Sequence, residues 1–241
     1  MKKQLFLILI CSICFMDAYS QAWKDKLKNI EKELIHDKPL SNEEVISGLK
    51  EALTVGTNNS TTLASKIDGF YGNPLIKIPF PPDAAALKER FQGTALQPQI
   101  DKFEESLNRA AEIASKDAAD IFIKAITGMS IGDGFTILKG NDDAATNYLK
   151  ENTSKELHEK FKPIIKEAIN KVKVTKHWEP LATKYNKIPM IKKVNPDLNE
   201  YVTLKATEGL FKLIAEEELK IRKDPAARVN DLLKRVFGEK K

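Results

Sequence analysis

The sequence predicts an all-α fold, a single multi-helix domain of about nine or ten helices crossed by a proline-rich extended strap. Three observations carry this. Apolar residues recur at spacings of three and four rather than two along nearly the whole chain after residue 22. Helix start and stop signals fall between those stripes. Prolines gather in residues 68–83 and 174–197, where they interrupt helices. Only residues 75–80 and 171–175 have a strand-like composition, and there is no internal repeat or low-complexity tract.

The first 22 residues read MKKQLFLILICSICFMDAYSQA, in which Lys2 and Lys3 precede an apolar run from Leu5 to Met16 and Ala18-Tyr19-Ser20 follows it. That pattern is a secretory signal peptide. Residues 1–20 are expected to be removed by cleavage near Ser20, leaving residues 21–241 as one helical domain in the periplasm or outside the cell. The apolar run is too short to cross a hydrocarbon core of roughly 30 Å. Ile10 and Ile13 precede Cys11 and Cys14, where a lipoprotein signal needs a small residue, so no lipid anchor is expected. Both cysteines leave with the leader, which removes disulfides, thiol nucleophiles and cysteine metal sites from the rest of the chain. Of the formal net charge of +5, Lys2, Lys3 and Asp17 account for +1, leaving +4. So mild an excess argues against a nucleic-acid partner.

Trp23, Leu27, Ile30 and Leu34 form a first helical stripe. Val45, Ile46, Leu49 and Leu53 form a second, opened by Ser41-Asn42-Glu43-Glu44 as a capping box. A third helix is expected from Leu63 to about Gly69. The stretch DGFYGNPLIKIPFPPD, residues 68–83, has four prolines and must be extended, yet Phe70, Tyr71, Leu75, Ile76, Ile78 and Phe80 demand burial. It reads as a strap packed across helices. Residues 98–128 form a long helix whose stripe of Leu107, Ala111, Ala114, Ala118, Ile121 and Ala125 allows close helix approach. Further helices are expected at 130–139, 142–151, 154–172, 198–223 and 225–237, with short helix plus loop over 174–197.

Gly128-Met129-Ser130-Ile131-Gly132 matches the G-x-S-x-G elbow of serine hydrolases. The elbow needs a strand turning sharply into a helix, and the segment before Ser130 has helical spacing. The expected structure is a helix joint: Gly128 as a left-handed cap, Ser130 capping the next helix with Asp133, Gly140 ending it, and Asn141 or Asp142 capping its successor. No catalytic residue is assigned. Gly132-Asp133-Gly134 is not a dinucleotide fingerprint, because Ile137 stands at its third glycine. A calcium loop fails at Phe135 and Ile137. His36, His158 and His177 each lack a second histidine at helical spacing, so no metal ligands or cofactor are assigned.

Lysine makes up 34 of the 39 basic residues, so each of the five arginines hints at a need for a planar guanidinium. Arg109 lies beside Asn108 and Glu112. The three could line a polar pocket, or they could be an ion pair and buried hydrogen bonds that hold helices in register; the second reading is preferred. Glu217 falls within the stripe of Ala206, Leu210, Leu213, Ile214 and Ile221 and is expected to be buried against Arg109 or Arg228, while Glu218 has Arg222 at i+4. The candidate ligand-binding set is therefore Asn108, Arg109, Glu112 and Glu217. The segment that begins at Lys155 and ends at Lys193 holds eleven lysines against four glutamates, a net +7; it is read first as a solvated face, with an anionic envelope surface as the functional alternative.

Asn108-Arg109-Ala110-Ala111-Glu112, MSIGDGFTILKG at 129–140, and EEELKIRKDPAARVNDLLKRVFG at 216–238, with the DGFYGNP and IPFP elements, resemble the bacterial family catalogued as domain of unknown function 4197. The resemblance covers nearly all of residues 21–241. It implies an exported helical protein of Gram-negative bacteria and brings no activity, ligand or partner. It also implies alanine where Gly134 stands; some relatives look lipid-anchored, and this sequence lacks that motif. The function expected is a non-enzymatic binding or structural module of the cell envelope. Alternatives are a periplasmic carrier holding an apolar or lipid-like ligand in an interhelical pocket, and an enzyme of unassigned chemistry.

Overall fold

In the computed structural model, residues 40–224 and 234–236 are described. Among them the helical periodicity produces eight α-helices, two 3-10 turns and no strand, in keeping with the all-α expectation. The helices are α1 (Asn42–Ser65), α2 (Ala85–Phe91), α3 (Gln97–Ala114), α4 (Ala118–Gly128), α5 (Ile131–Lys139), α6 (Ala144–Lys171), α7 (Val174–Asn186) and α8 (Leu198–Lys223). The 3-10 turns are Pro82–Ala84 and Ser115–Asp117. Contacts divide the chain into Met1–Ser41 and Asn42–Lys241, and all eight helices belong to the second unit. The expected leader, the stripe starting at Trp23, His36 and most of the helix expected at 225–237 lie outside the described residues.

Several expected boundaries are corrected. The second and third helices are one, α1, in which the hydroxyls of the polar stretch find partners without breaking the helix, bonding back to carbonyls four residues earlier: Thr54 to Lys50 at 2.8 Å, Ser60 to Gly56 at 2.8 Å and Thr61 to Thr57 at 2.9 Å. The helices expected at 142–151 and 154–172 are also one. Asn152 and Thr153 donate to the carbonyls of Tyr148 and Leu149, and Ser154 to that of Lys150, so a cluster that reads as a break stays helical. Pro163 in α6 and Pro180 in α7 sit within helices on exposed positions, where water can reach the carbonyl each leaves without a donor. Conversely, the long helix at 98–128 breaks at Ser115–Asp117, and α2 was not foreseen.

The core is built around α6, whose buried face of Leu149, Leu157, Phe161 and Ile165 meets α8, α3, α4 and α7. Ala110, Ala111 and Ala114 on α3 are fully buried, and α3 packs against α6, α7 and α8. Contrary to expectation, the strap is not extended throughout: residues 66–76 run largely through turns closed by their own backbone hydrogen bonds, and the strap as a whole buries Phe70, Ile76, Ile78 and Phe80. Phe80 meets the Phe103 ring edge-on with centroids 5.0 Å apart. Gly209 on α8 is where the strap crosses: a Cβ there would lie 2.8 Å from the Phe70 ring and 3.2 Å from Ile76.

Gly134 has an equally local cause. A Cβ on it would lie 2.2 Å from Ile46 Cδ1, so the Ile46 side chain occupies the space an alanine would need. Gly134→Ala alone is expected to destabilise by about 1 kcal/mol or more through overpacking. In an Ile46→Val background, which removes Cδ1, the same change should become neutral or stabilising through alanine's higher helix propensity. A double-mutant cycle by urea denaturation checks this.

Candidate functional site

The strap has little regular structure of its own, so its buried backbone must find partners on the helices. One row of α3 supplies them. Asn108 Oδ1 accepts the Ile78 N–H at 2.7 Å, and Asn108 Nδ2 donates to the Ile78 carbonyl at 2.9 Å and to the Glu104 carbonyl at 2.8 Å. One turn on, Glu112 Oε1 accepts the N–H groups of Phe70 at 3.1 Å and Tyr71 at 3.2 Å. Glu112 Oε2 accepts from Arg109 at 2.8 Å, and Arg109 also pairs with Asp68 at 2.8 Å and Glu105 at 3.1 Å. Burial opposes the Arg109 charge, but its hydrogen bonds to Glu112, Asp68 and Glu105 outweigh that and push its pKa above the ordinary arginine value. The structure thus brings Asn108, Arg109 and Glu112 together as a clamp on the strap.

Glu104 extends the clamp, a role the sequence did not signal. It pairs with Lys77 of the strap at 3.2 Å and Lys88 of α2 at 2.9 Å. Burial pushes its carboxyl up, and the bonds from Lys88 and Lys77 more than reverse this, leaving it below the usual carboxylate range. Tyr201 on α8 donates to the Pro79 carbonyl at 3.0 Å, and burial raises its phenol to about 12.

Glu217 does not belong to this group, and its expected burial beside Arg109 or Arg228 is corrected. Its side chain is 19% exposed and pairs with Lys220 at 2.6 Å, while Asn59 of α1 donates to it at 2.9 Å; Arg228 lies outside the described residues. The buried carboxylate is Glu218. Both positions fit the spacing of the α8 stripe, so spacing alone could not choose. What distinguishes them is the neighbour: Glu218 meets the first turn of α6, accepting from Ala145 N at 2.9 Å, Thr146 N at 2.8 Å and Thr146 Oγ1 at 2.8 Å. Arg222 donates to the same carboxylate at 2.7 Å and 3.0 Å and to the Ile137 carbonyl of α5 at 2.9 Å. Asn141 and Asp142 do not cap α6, whose N-cap is Asp143 without a side-chain bond.

Ser130 sits at the N-cap of α5, as expected. Its Oγ accepts from Asp133 N at 3.2 Å and donates to Asp133 Oδ2 at 2.7 Å, and the same oxygen accepts Ser130 N at 3.1 Å. The hydroxyl's hydrogen bond, then the backbone's, lowers the Asp133 pKa. The segment entering Ser130 is helix α4, and the direction of residues 97–128 taken together turns by 104° into α5, so the setting is a helix joint and not an elbow. Gly128 is the last residue of α4 without the left-handed φ expected of it; Gly93, at +72°, is the positive-φ glycine among the described residues. No three His, Cys, Asp or Glu side chains converge as a metal set among the described residues.

Space for an apolar ligand is small where α1, α6 and α8 meet: Leu49, Ala52, Leu53, Ala145 and Ile221 line about 10 Å³, room for one water. A larger recess of about 640 Å³ is an open surface groove beside α7, lined by Trp178, Ala182, Thr183, Lys187, Lys193 and Val194. All eleven lysines of residues 155–193 are exposed. Lys160 pairs with Glu156 at 3.2 Å and Lys162 with Glu200 at 2.7 Å; the other nine make no ion pair among the described residues.

The two glutamates of α8 give a direct comparison. Glu218→Ala is expected to lower unfolding stability by about 3–5 kcal/mol, since it strands Arg222 and the α6 N–H groups. Glu217→Ala removes a partly exposed pair worth about 0–1 kcal/mol. Urea denaturation of both variants measures the difference, and equal losses would contradict this burial pattern.

The profile of a family described as "Protein of unknown function (DUF4197)" matches residues 39–238. No curated protein and no solved structure shows significant similarity to the chain. The matched region takes in the strap, its clamp on α3, the Ser130 joint and α8 with Glu218, and the chain belongs to the DUF4197 family.

Proposed function

We propose that this protein is exported through its N-terminal leader and works in the bacterial cell envelope as a non-enzymatic module that docks on an anionic surface. The observation that carries this is the state of the lysines in residues 155–193: all exposed, nine of eleven unpaired among the described residues, within a segment of net +7. Ion pairs held in place for structural reasons would be matched by nearby carboxylates. Unmatched charge of one sign concentrates a field that attracts an anionic partner. The non-enzymatic reading is supported by the use of the chemically suggestive groups: Asn108, Arg109 and Glu112 hold the strap, Ser130 caps a helix, and Glu218 caps another.

Beads carrying a sulfated polymer serve as a probe of anionic-surface binding that contains no lipid. Binding should weaken steadily with salt, as the screening length falls from about 10 Å at 0.1 M to about 3 Å at 1 M. A triple Lys166→Glu, Lys173→Glu, Lys176→Glu variant should lose about tenfold or more in affinity. Lys66→Glu, Lys102→Glu, Lys116→Glu, with the same change in net charge, should lose far less. Equal losses would show that net charge alone acts and would sink the reading. Export is checked separately by N-terminal sequencing of the protein recovered from its host, with Gln21 as the expected first residue.

A further inference from the structure

Between α7 and α8 the chain reads Lys187-Ile188-Pro189-Met190-Ile191-Lys192-Lys193, four apolar residues framed by three lysines. The base of this loop is fastened. The Asn186 carboxamide takes both backbone groups of Val194, accepting its N–H at 2.9 Å and donating to its carbonyl at 3.0 Å. Val194 is buried in the main core, and the Ile188 N–H donates to the Tyr185 carbonyl at 3.0 Å. Ile188 and Ile191 are partly buried against the core, so the loop is held at both ends and presents Pro189 and Met190 outward.

At that middle stands Met190, whose side chain is 106% exposed and whose φ is +63°. Both features are unfavourable for folding. A left-handed φ suits glycine or asparagine far better than a residue with a long side chain. A wholly exposed methionine gives up the burial that stabilises apolar side chains. Glycine or asparagine here would satisfy backbone and solvent together, so folding supplies no reason for methionine. Such local strain is characteristic of functional positions. The flanking residues narrow the function: an apolar tip ringed by lysines matches the two layers of a membrane interface, in which lysine heads reach phosphates while apolar groups enter the acyl boundary. The flexible thioether also adapts to irregular apolar surroundings.

We propose that residues 187–193 form a membrane-docking loop, with Met190 entering the acyl boundary of an anionic phospholipid bilayer while Lys187, Lys192 and Lys193 engage headgroup phosphates. This rests on the anionic-surface reading above and names its partner, since an acidic glycan offers phosphate-like charge but no apolar layer for Met190. The remaining exposed lysines of residues 155–193 add long-range attraction.

The test uses the wild-type chain with Met190→Asp, Met190→Leu and the double variant Lys192→Glu, Lys193→Glu. The membranes are phosphatidylcholine vesicles with and without phosphatidylglycerol. Wild type and Met190→Leu are expected to bind the phosphatidylglycerol vesicles and to raise the surface pressure of a monolayer of the same lipids. Met190→Asp should bind those vesicles about tenfold or more weakly and fail to raise the pressure, yet bind the sulfated polymer as wild type does. The double lysine variant should lose affinity for both. Because Met190 is wholly exposed and its left-handed φ suits aspartate better than methionine, no variant should fall below wild type in circular dichroism signal or urea midpoint. If wild type binds the polymer but not the vesicles, or Met190→Asp binds and inserts like wild type, the loop proposal is overturned and the anionic-surface reading stands. If wild type binds neither, both fall.

Discussion

Four prolines in residues 68–83 prevent a helix, yet Phe70, Ile76, Ile78 and Phe80 are buried there. Turns within the strap satisfy part of its backbone, as where Gly72 N donates to the Asp68 carbonyl and Lys77 N to the Asn73 carbonyl, but each buried amide or carbonyl left over would cost about 1–3 kcal/mol unpaired. Asn108 resolves this at Ile78 by serving both backbone groups at once, as an adjacent strand would. Glu112 does so for two successive N–H groups. Much of the rest of the core depends on these side chains, because the strap fills the space between α3 and α8 and brings Phe80 against Phe103 and Trp178. Gly209 is the matching concession on α8, a position kept bare so that Phe70 can cross.

The joint between α5 and α6 is solved by the same chemistry. Glu218 takes the N-terminal amides of α6, where the helix dipole is positive, and Arg222 takes a carbonyl near the C-terminus of α5, where it is negative. The two charges then neutralise each other at 2.7 Å. In the clamp the order is reversed, with Arg109 three residues before Glu112. A buried carboxylate is costly unless it is paired and fully hydrogen-bonded, and both carboxylates meet that condition. Arginine suits such sites because its planar fork reaches several acceptors from one position. This is a physical account of why so lysine-rich a chain places arginine at both.

Helical class was legible because it is local: the recurrence of Leu107, Ala111 and Ala114 follows from one helix turning through one core. Boundaries were less so. Asn152, Thr153 and Ser154 favour a break by composition, and whether they make one depends on which carbonyl their side chains find. The row of Asn108, Arg109 and Glu112 was visible as chemistry and read as a tie holding helices in register, but its bonds run from α3 to the strap. Its partners, the backbone of residues 70, 71 and 78, carry no sequence signal, since any residue has an amide. Glu217 and Glu218 show the same limit. Adjacent on one helix and alike in spacing, they are separated by the first turn of α6, some 72 residues away in the chain.

Among the described residues, buried polar groups are paired to near completeness, whereas nine of the eleven lysines of residues 155–193 make no ion pair, and the proposed docking rests on that contrast. The rest of residues 21–241 has a net charge of about −3 against +7 for this segment, so the chain is polarised in charge along its length. On the proposed docking, a concentration of one sign of charge would favour approach of that segment to an anionic surface. Attraction of this kind would weaken once salt shortens the screening length below the size of the protein. The loop at residues 187–193 lies at the far end of the basic segment, held by Asn186 and Val194. On the docking proposed, attraction spread over many lysines would supply range but little depth, and the fastened tip at Met190 depth but no range; the two elements lie within forty residues of each other.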